Sequence, residues 1–190
     1  MEEYLVEPPK ICVSRYGRTV YFFDEINAAS VSEAIKFIDQ IEKENPKKPI
    51  EIILNTSGGN CYDGLALYDR IRFSKCNICI IGTGLVASMG FIVYLAGDQR
   101  LLMPNCILMN HQISSNPQGK LQDLKLELEE IKRIEAQCLA IMAERTGQAV
   151  KVIQKQISKG DDYIQPDRAI KEGIAHKILT LKGTSNASYK

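Results

Sequence analysis

Residues 84–97 read GLVASMGFIVYLAG and complete an uncharged run that begins at Cys76. The run is about as long as a helix that crosses a bilayer, which takes roughly 20 apolar residues. Gly82-Thr83-Gly84 interrupts it, however, and the part before these residues is rich in β-branched side chains. The part after them favours a helix. We therefore expect a buried strand over residues 78–82, a tight glycine turn and a buried helix, and no membrane span.

Strands and helices alternate along the chain on both sides of this run. The strand at residues 50–55, IEIILN, is too apolar to have one wet face, which is typical of a buried, mainly parallel sheet. Ser30-Val31-Ser32-Glu33 has the form of a capping box and predicts the start of a helix. The fold class is therefore α/β. The other predicted strands lie at residues 18–23, near Leu101, near Ile107 and at 173–179, and the other predicted helices at 62–73, at 150–158 and from Pro166.

A highly charged segment from Lys120 to Arg145 predicts one long helix. Its apolar residues recur every three or four positions and form a narrow seam. At ~1.5 Å per residue the helix would be roughly 40 Å long, which is more than a compact domain of this size needs. We expect part of it to pack on another subunit; the alternative is a helix along the edge of its own domain. The seam consists of Leu121, Leu124, Leu128, Ile131, Ile134, Cys138 and Ile141.

Composition indicates one domain over the 190 residues, with 45% hydrophobic and 25% charged residues. A formal net charge of +1 gives no support for nucleic-acid or membrane binding. The start of the chain, MEEYLVEPPK, has no basic segment followed by an apolar one, so a cytoplasmic location is expected. Cys76 and Cys79 form a C-x-x-C with no second pair at metal spacing, and we interpret them as packing residues.

Few residues in this sequence could carry out acid–base or nucleophilic chemistry. His111 follows an apolar strand, at the position where α/β folds place ligands, whereas His176 lies within a short apolar strand and is more typical of a structural residue. Ser88 lies at the start of the helix predicted above. It could be an N-cap, or a nucleophile beside free backbone amides. Gly58-Gly59 offers a second set of amides, or an ordinary turn.

The order of these features resembles that of the proteolytic subunit of the Clp protease family. The resemblance extends from about Val20 to Leu179, and several ordered strings carry it. Residues 55–59 (NTSGG) resemble the family's Asn-Ser-Pro-Gly-Gly loop, and 64–69 (GLALYD) its Gly-Leu-Ala-Ile-Tyr-Asp helix. The other similar strings are 87–90 (ASMG), 109–112 (MNHQ), 146–148 (TGQ) and 169–174 (AIKEGI).

The resemblance implies a role for each matching residue. Ser88 would be the nucleophile and His111 the general base. The family's acid precedes an aromatic residue by two positions, which selects Asp161 before Tyr163 and leaves Asp162 as the alternative. The backbone amides of Gly59 and Met89 would form the oxyanion hole. No metal and no cofactor is implied in this subunit.

The resemblance also implies an architecture: a crotonase-like ββα-superhelix with a protruding handle helix at about residues 119–146. Residues 1–17 would be an N-terminal segment and 180–190 a frayed tail. Stacked heptameric rings of the chain, a tetradecamer, would enclose the active sites, and an ATP-dependent Clp-type unfoldase would deliver polypeptides. An apolar specificity pocket is expected, although the sequence does not identify its walls.

Several positions depart from the family pattern. Ser57 and Ile113 replace two prolines, and residues 13–17 (VSRYG) poorly match the segment that contacts the ATPase. Two other functions stay open at this point. One is a crotonase-like acyl-CoA hydratase or isomerase, which would need catalytic carboxylates in its pocket. The other is a non-catalytic ring subunit, which would be expected to have lost Ser88, His111 or the acid.

Overall fold

The computed structural model describes residues 13–115 and 118–180, which form eight strands and six helices. The strands are β1 (Val13–Tyr16), β2 (Thr19–Phe22), β3 (Ile50–Thr56), β4 (Ile78–Ala87), β5 (Gln99–Leu102), β6 (Ile107–Asn110), β7 (Asp162–Ile164) and β8 (Lys177–Ile178). The helices are α1 (Ala28–Glu44), α2 (Cys61–Arg72), α3 (Met89–Leu95), α4 (Leu121–Thr146), α5 (Val150–Ile157) and α6 (Pro166–Lys171).

The sheet is mainly parallel, as the apolar strands predict. Its order is β1-β2-β3-β4-β5-β8, with β6 paired to β4 and β7 paired to β6. The pairs β1–β2 and β6–β7 are antiparallel, and the other pairs are parallel. Ile50 and Leu54 of β3 are fully buried, as are Ile78 and Ile80 of β4. The centre of the sheet therefore forms the core. This core positions the ends of β4 and β6, which Ser88 and His111 follow.

Strand β4 corrects one prediction. The expected turn at residues 82–84 is wrong, because the strand continues to Ala87 before helix α3 begins. Its first half lies between β3 and β5, whereas Leu85–Ala87 pair with β6. Gly84, with φ +58°, occupies a conformation that suits glycine, and the register against β3 shifts in the same region. The glycines therefore let one strand change neighbours.

Helix α1 also begins earlier than predicted, and the capping box at residues 30–33 is wrong. The N-cap is Asn27, whose side-chain oxygen accepts hydrogen bonds from the amides of Ala29 and Ser30, both at 3.0 Å. The Ser30 hydroxyl accepts one in return from the Asn27 amide at 3.1 Å. Ser30 is thus the third helical residue of a capping box that starts three positions earlier.

Helix α4 is a single helix of 26 residues, close to the predicted bounds. It ends at Gly147, which adopts φ +77° as a left-handed C-cap. Its buried residues, Ile134, Cys138, Leu139 and Met142, all lie in its second half. None of the helices in the described ranges is both long and apolar enough to cross a membrane. The first twelve residues and the tail from 181 onward lie outside the described residues.

Candidate active site

Ser88 lies at the turn between β4 and α3 in an unusual backbone conformation. Its φ of 55° is the only positive value at a non-glycine residue between 13 and 180, leaving aside the two undescribed positions there. Although it occupies the N-cap position, its side chain makes no capping hydrogen bond. Its Oγ instead lies 2.8 Å from Nε2 of His111. A strained turn that aims a hydroxyl at an imidazole favours a reactive residue over a cap.

The backbone around this turn is closely packed, and this packing holds Ser88 in place. A Cβ atom on Gly58 would lie 2.6 Å from Cβ of Ser88 and 2.8 Å from the carbonyl oxygen of Ala87. The Ser88 amide donates a 2.9 Å hydrogen bond to the carbonyl of Met109 in β6. Since His111 follows Met109 by two residues, the β4–β6 pairing itself brings the serine and the histidine together.

Gly59 and Met89 lie beside the same turn as Ser88. Gly59 adopts φ +146°, and a Cβ there would lie 2.2 Å from the carbonyl oxygen of Ile26. Met89 is the first residue of α3, so its N–H has no acceptor within the helix. Neither amide donates a hydrogen bond to any acceptor in residues 13–115 or 118–180. Both are therefore free to bind a negatively charged oxygen.

The two candidate acids differ in their surroundings. Asp162 accepts hydrogen bonds from both terminal nitrogens of Arg168, at 2.5 and 2.8 Å. Asp161 is exposed and has no hydrogen bond or ion pair with the described part of the chain. The antiparallel pairing of β6 and β7 places Asn110 opposite Asp162, so the next pair of positions along the ladder is His111 and Asp161. Extension of this register by one position would bring Asp161 opposite His111, and no hydrogen bond joins the two side chains in the described residues.

A pocket opens beside Ser88 and His111. Its walls come from α2, α3, the second half of α4, α5 and the segment after β6. They are mostly apolar or sulphur-containing, and the residues are Cys61, Met89, Ile92, Ile113, Cys138, Leu139, Met142 and Ile157. Gly59, Asn110, Gln112, Ser114 and Glu135 complete the lining. The sequence analysis missed these walls, because they come from elements far apart in the chain.

The two cysteines in the pocket do not compete with the serine as nucleophiles. Burial raises the pKa of the Cys61 thiol. Burial, with a smaller contribution from the nearby Cys61, raises the pKa of Cys138 to about 12. A thiol reacts as its thiolate, so both groups are poor nucleophiles near neutral pH.

Comparison with protein families gives a match to the Clp protease family over residues 13–182. The chain belongs to the Clp protease family. Among solved structures, it is similar to a mutant of ClpP1 from Listeria monocytogenes, with a TM-score of 0.80 and 30% sequence identity. That match covers 87% of this chain and 93% of the other. The predicted family and crotonase-like α/β fold are confirmed, and the chain is a serine-type endopeptidase of the Clp protease family.

In this Clp protease family member, His176 and Cys76, which the sequence analysis also considered, lie away from Ser88 and His111. Nδ1 of His176 accepts a 3.1 Å hydrogen bond from the Arg100 amide, which is a structural contact between β5 and the start of β8. Cys76 is buried, and its sulphur accepts a hydrogen bond from Arg18. Over the described ranges, no group of three His, Cys, Asp or Glu side chains could hold a metal ion.

Proposed function

We propose that the chain cleaves peptide bonds with Ser88 as the nucleophile and His111 as the general base. The observation that carries this proposal is the 2.8 Å contact between Ser88 Oγ and His111 Nε2 at the strained turn. His111 takes the hydroxyl proton as Oγ attacks the peptide carbonyl, and then delivers it to the departing amine. Water hydrolyses the resulting ester and regenerates the serine.

The oxyanion of the tetrahedral intermediate would bind to the amides of Gly59 and Met89. Neither N–H group has an acceptor among the described residues, and the Gly58 backbone approaches the turn more closely than a side chain would allow. Loss of one such donor typically costs about 3–4 kcal/mol of transition-state stabilisation.

Asp161 is the proposed third member of the triad. The β6–β7 register supports it, because side chains at opposed positions of an antiparallel pair lie on the same face of the sheet. Asp162 is on the other face and is held by Arg168. A carboxylate at position 161 would orient the imidazole and stabilise its protonated form once the two side chains meet.

We propose in addition that the chain acts within stacked heptameric rings in the cytoplasm. The support is the first half of α4, where Leu121, Leu126 and Leu128 are exposed while the chain itself buries none of them. Apolar residues exposed along a protruding helix are suited to contact with other copies of it. Polypeptides unfolded by an ATP-dependent Clp-type partner would be the substrates, and this subunit would need no cofactor itself.

The residues that line the pocket argue against the two alternative functions, the acyl-CoA hydratase or isomerase and the non-catalytic ring subunit. A hydratase or isomerase would need catalytic carboxylates there, and Glu135 is the only carboxylate among the pocket's described lining residues. A non-catalytic subunit would not need a strained serine hydrogen-bonded to a histidine.

A fluorophosphonate probe tests the nucleophile directly. We expect the probe to form a covalent adduct with the native protein and mass spectrometry to place it on Ser88. Ser88→Ala should remove labelling, and the matched control Ser158→Ala, at an exposed serine, should retain it. Absence of labelling in fully assembled protein would disprove the proposal.

A further inference from the structure

The pocket beside Ser88 has one feature that its apolar walls do not explain. Glu135 of α4 is half-buried and lines the pocket together with Cys138 and Leu139. No lysine or arginine is among the described lining residues. A carboxylate at the wall of a mostly apolar cavity gives that cavity a charge preference, because screening by water is weaker there than in bulk solvent.

The cations nearest to Glu135 along α4 are bound by other carboxylates. Lys132 forms an ion pair with Glu129 at 2.8 Å, and Arg133 forms one with Glu130 at 2.7 Å. Glu135 itself has no hydrogen bond or ion pair with any side chain of residues 13–115 and 118–180. Its charge is therefore not neutralised within the described chain, and it is available to a ligand in the pocket.

We propose that Glu135 is a specificity-determining residue that favours substrates with lysine or arginine immediately before the cleaved bond and disfavours glutamate or aspartate there. The inference rests on the proposed function, since it assigns this pocket to the side chain on the acyl side of that bond. A lysine or arginine has an aliphatic stem that packs on Ile92, Leu139 and Met142, and a cationic end that pairs with the carboxylate. Leucine fills the apolar part alone, and an acidic side chain is repelled.

The size of the effect follows from the exposure of Glu135. A partly exposed ion pair changes a rate by up to about fivefold, and repulsion of an acidic side chain adds a similar factor. We expect kcat/KM for a lysine peptide to exceed that for the matched glutamate peptide by about tenfold or more. The ratio should fall between ~0.05 and ~0.5 M salt, because salt screens the interaction.

The experiment uses the assembled protein and three fluorogenic peptides that differ only in that residue: lysine, leucine or glutamate. Glu135→Gln should lower the lysine-to-glutamate ratio about tenfold, mainly through KM, because it removes both the attraction and the repulsion. Glu135→Lys should invert the ratio, and Glu135→Asp should retain its direction. A purely structural role for Glu135 would change the three rates together and leave the ratio unaltered.

Glu129→Gln is the matched control, because it removes the same charge from an exposed position of the same helix. It should leave the ratio as in the native protein. If the native ratio is near one, or if Glu135→Gln does not change it while leucine peptides are cleaved, the inference is wrong and the proposed function stands. If none of the peptides is cleaved and Ser88 is not labelled, the proposed function fails and the inference falls with it.

Discussion

Helices α3 and α4 belong to one chain but differ in what stabilises them. All seven residues of α3 are buried, and none of them is charged. Of the 26 residues of α4, four are buried, and its first thirteen include none of these. The core of the chain thus surrounds the helix that follows Ser88. The first half of α4 is held by its own hydrogen bonds, by ion pairs such as Lys132–Glu129 and by hydrogen bonds from Tyr62 and Ser115.

The two helices meet at the end of α4 that the chain does bury. The Arg145 guanidinium donates hydrogen bonds to the carbonyls of Leu95 and Gly97, at 2.8 and 2.9 Å. The buried Arg100 donates to the Arg145 carbonyl at 3.0 Å. One end of α4 is therefore part of the active-site scaffold, and the other end projects from it. The contrast teaches that the site is built within the chain, while the exposed half of α4 is suited to binding another copy.

The largest expected effect is on assembly. Leu128→Asp places a charge in the exposed half of α4, where a ring contact would have to bury it at high cost. We expect the assembled particle to be lost and smaller species to appear, as measured by analytical ultracentrifugation. Gln122→Asp, which adds the same charge at an exposed polar position of α4, should leave the particle intact. An unchanged mass for Leu128→Asp would contradict the proposed ring contact.

The next effect is on the stability of the chain itself. Phe91 of α3 is 2% exposed, and truncation of a buried phenylalanine to alanine typically costs about 3–5 kcal/mol. Leu126 of α4 is 62% exposed, so Leu126→Ala should cost less than about 0.5 kcal/mol. Urea unfolding in the Leu128→Asp background, where ring contacts no longer contribute, measures both. Similar losses would show that the two helices are not stabilised differently.

The sequence predicted most elements because their signals are local. The mostly apolar, isoleucine-rich segment of β3 and the seam of α4 each indicate one type of element without reference to the rest of the chain. The turn expected at Gly82–Gly84 was wrong, because β4 is continued by pairing with β6, which lies about twenty residues further on. The cap of α1 was misplaced because Asn27 and Ser30 are both good capping residues, and only the structure shows their reciprocal bonds.

Only part of the candidate site could be predicted from the sequence. Ser88 and His111 were identified by resemblance, and the structure places them in contact. The pocket walls were not identified, because Cys61, Glu135 and Ile157 come together only when α2, α4 and α5 pack. The resemblance selected Asp161 from its spacing to Tyr163 and left the adjacent Asp162 as the alternative. The structure adds that Asp162 is bound by Arg168, whereas Asp161 is exposed.

A smaller expected effect separates those two aspartates. Asp161→Asn should lower kcat/KM by about 100-fold, because it removes the charge that stabilises the protonated His111. Asp162→Asn should stay within about threefold in activity and mainly lower stability, since it breaks the pair with Arg168. Peptide hydrolysis and urea unfolding of both variants measure the two effects. Equal losses of activity would reopen the choice of the acid.

The smallest effect concerns His176, which contacts Arg100 near the ends of α3 and α4. Burial, and then the nearby Arg100 and Arg145, lower the pKa of His176, whose Nδ1 must be unprotonated to accept the Arg100 amide. As the pH falls through about 6.5, the unfolded chain takes up a proton that the folded chain resists. The contribution of His176 to stability is therefore complete above that pH and is lost below it.

His176→Gln keeps an acceptor at this position and removes the titration, so it isolates the pH effect. The stability difference between the native protein and this variant, measured by urea unfolding, should favour the native protein less at pH ~5.5 than at pH ~7.5. Carboxylates that titrate in both proteins cancel in that difference. If the difference is independent of pH, protonation of His176 does not weaken its contact with Arg100.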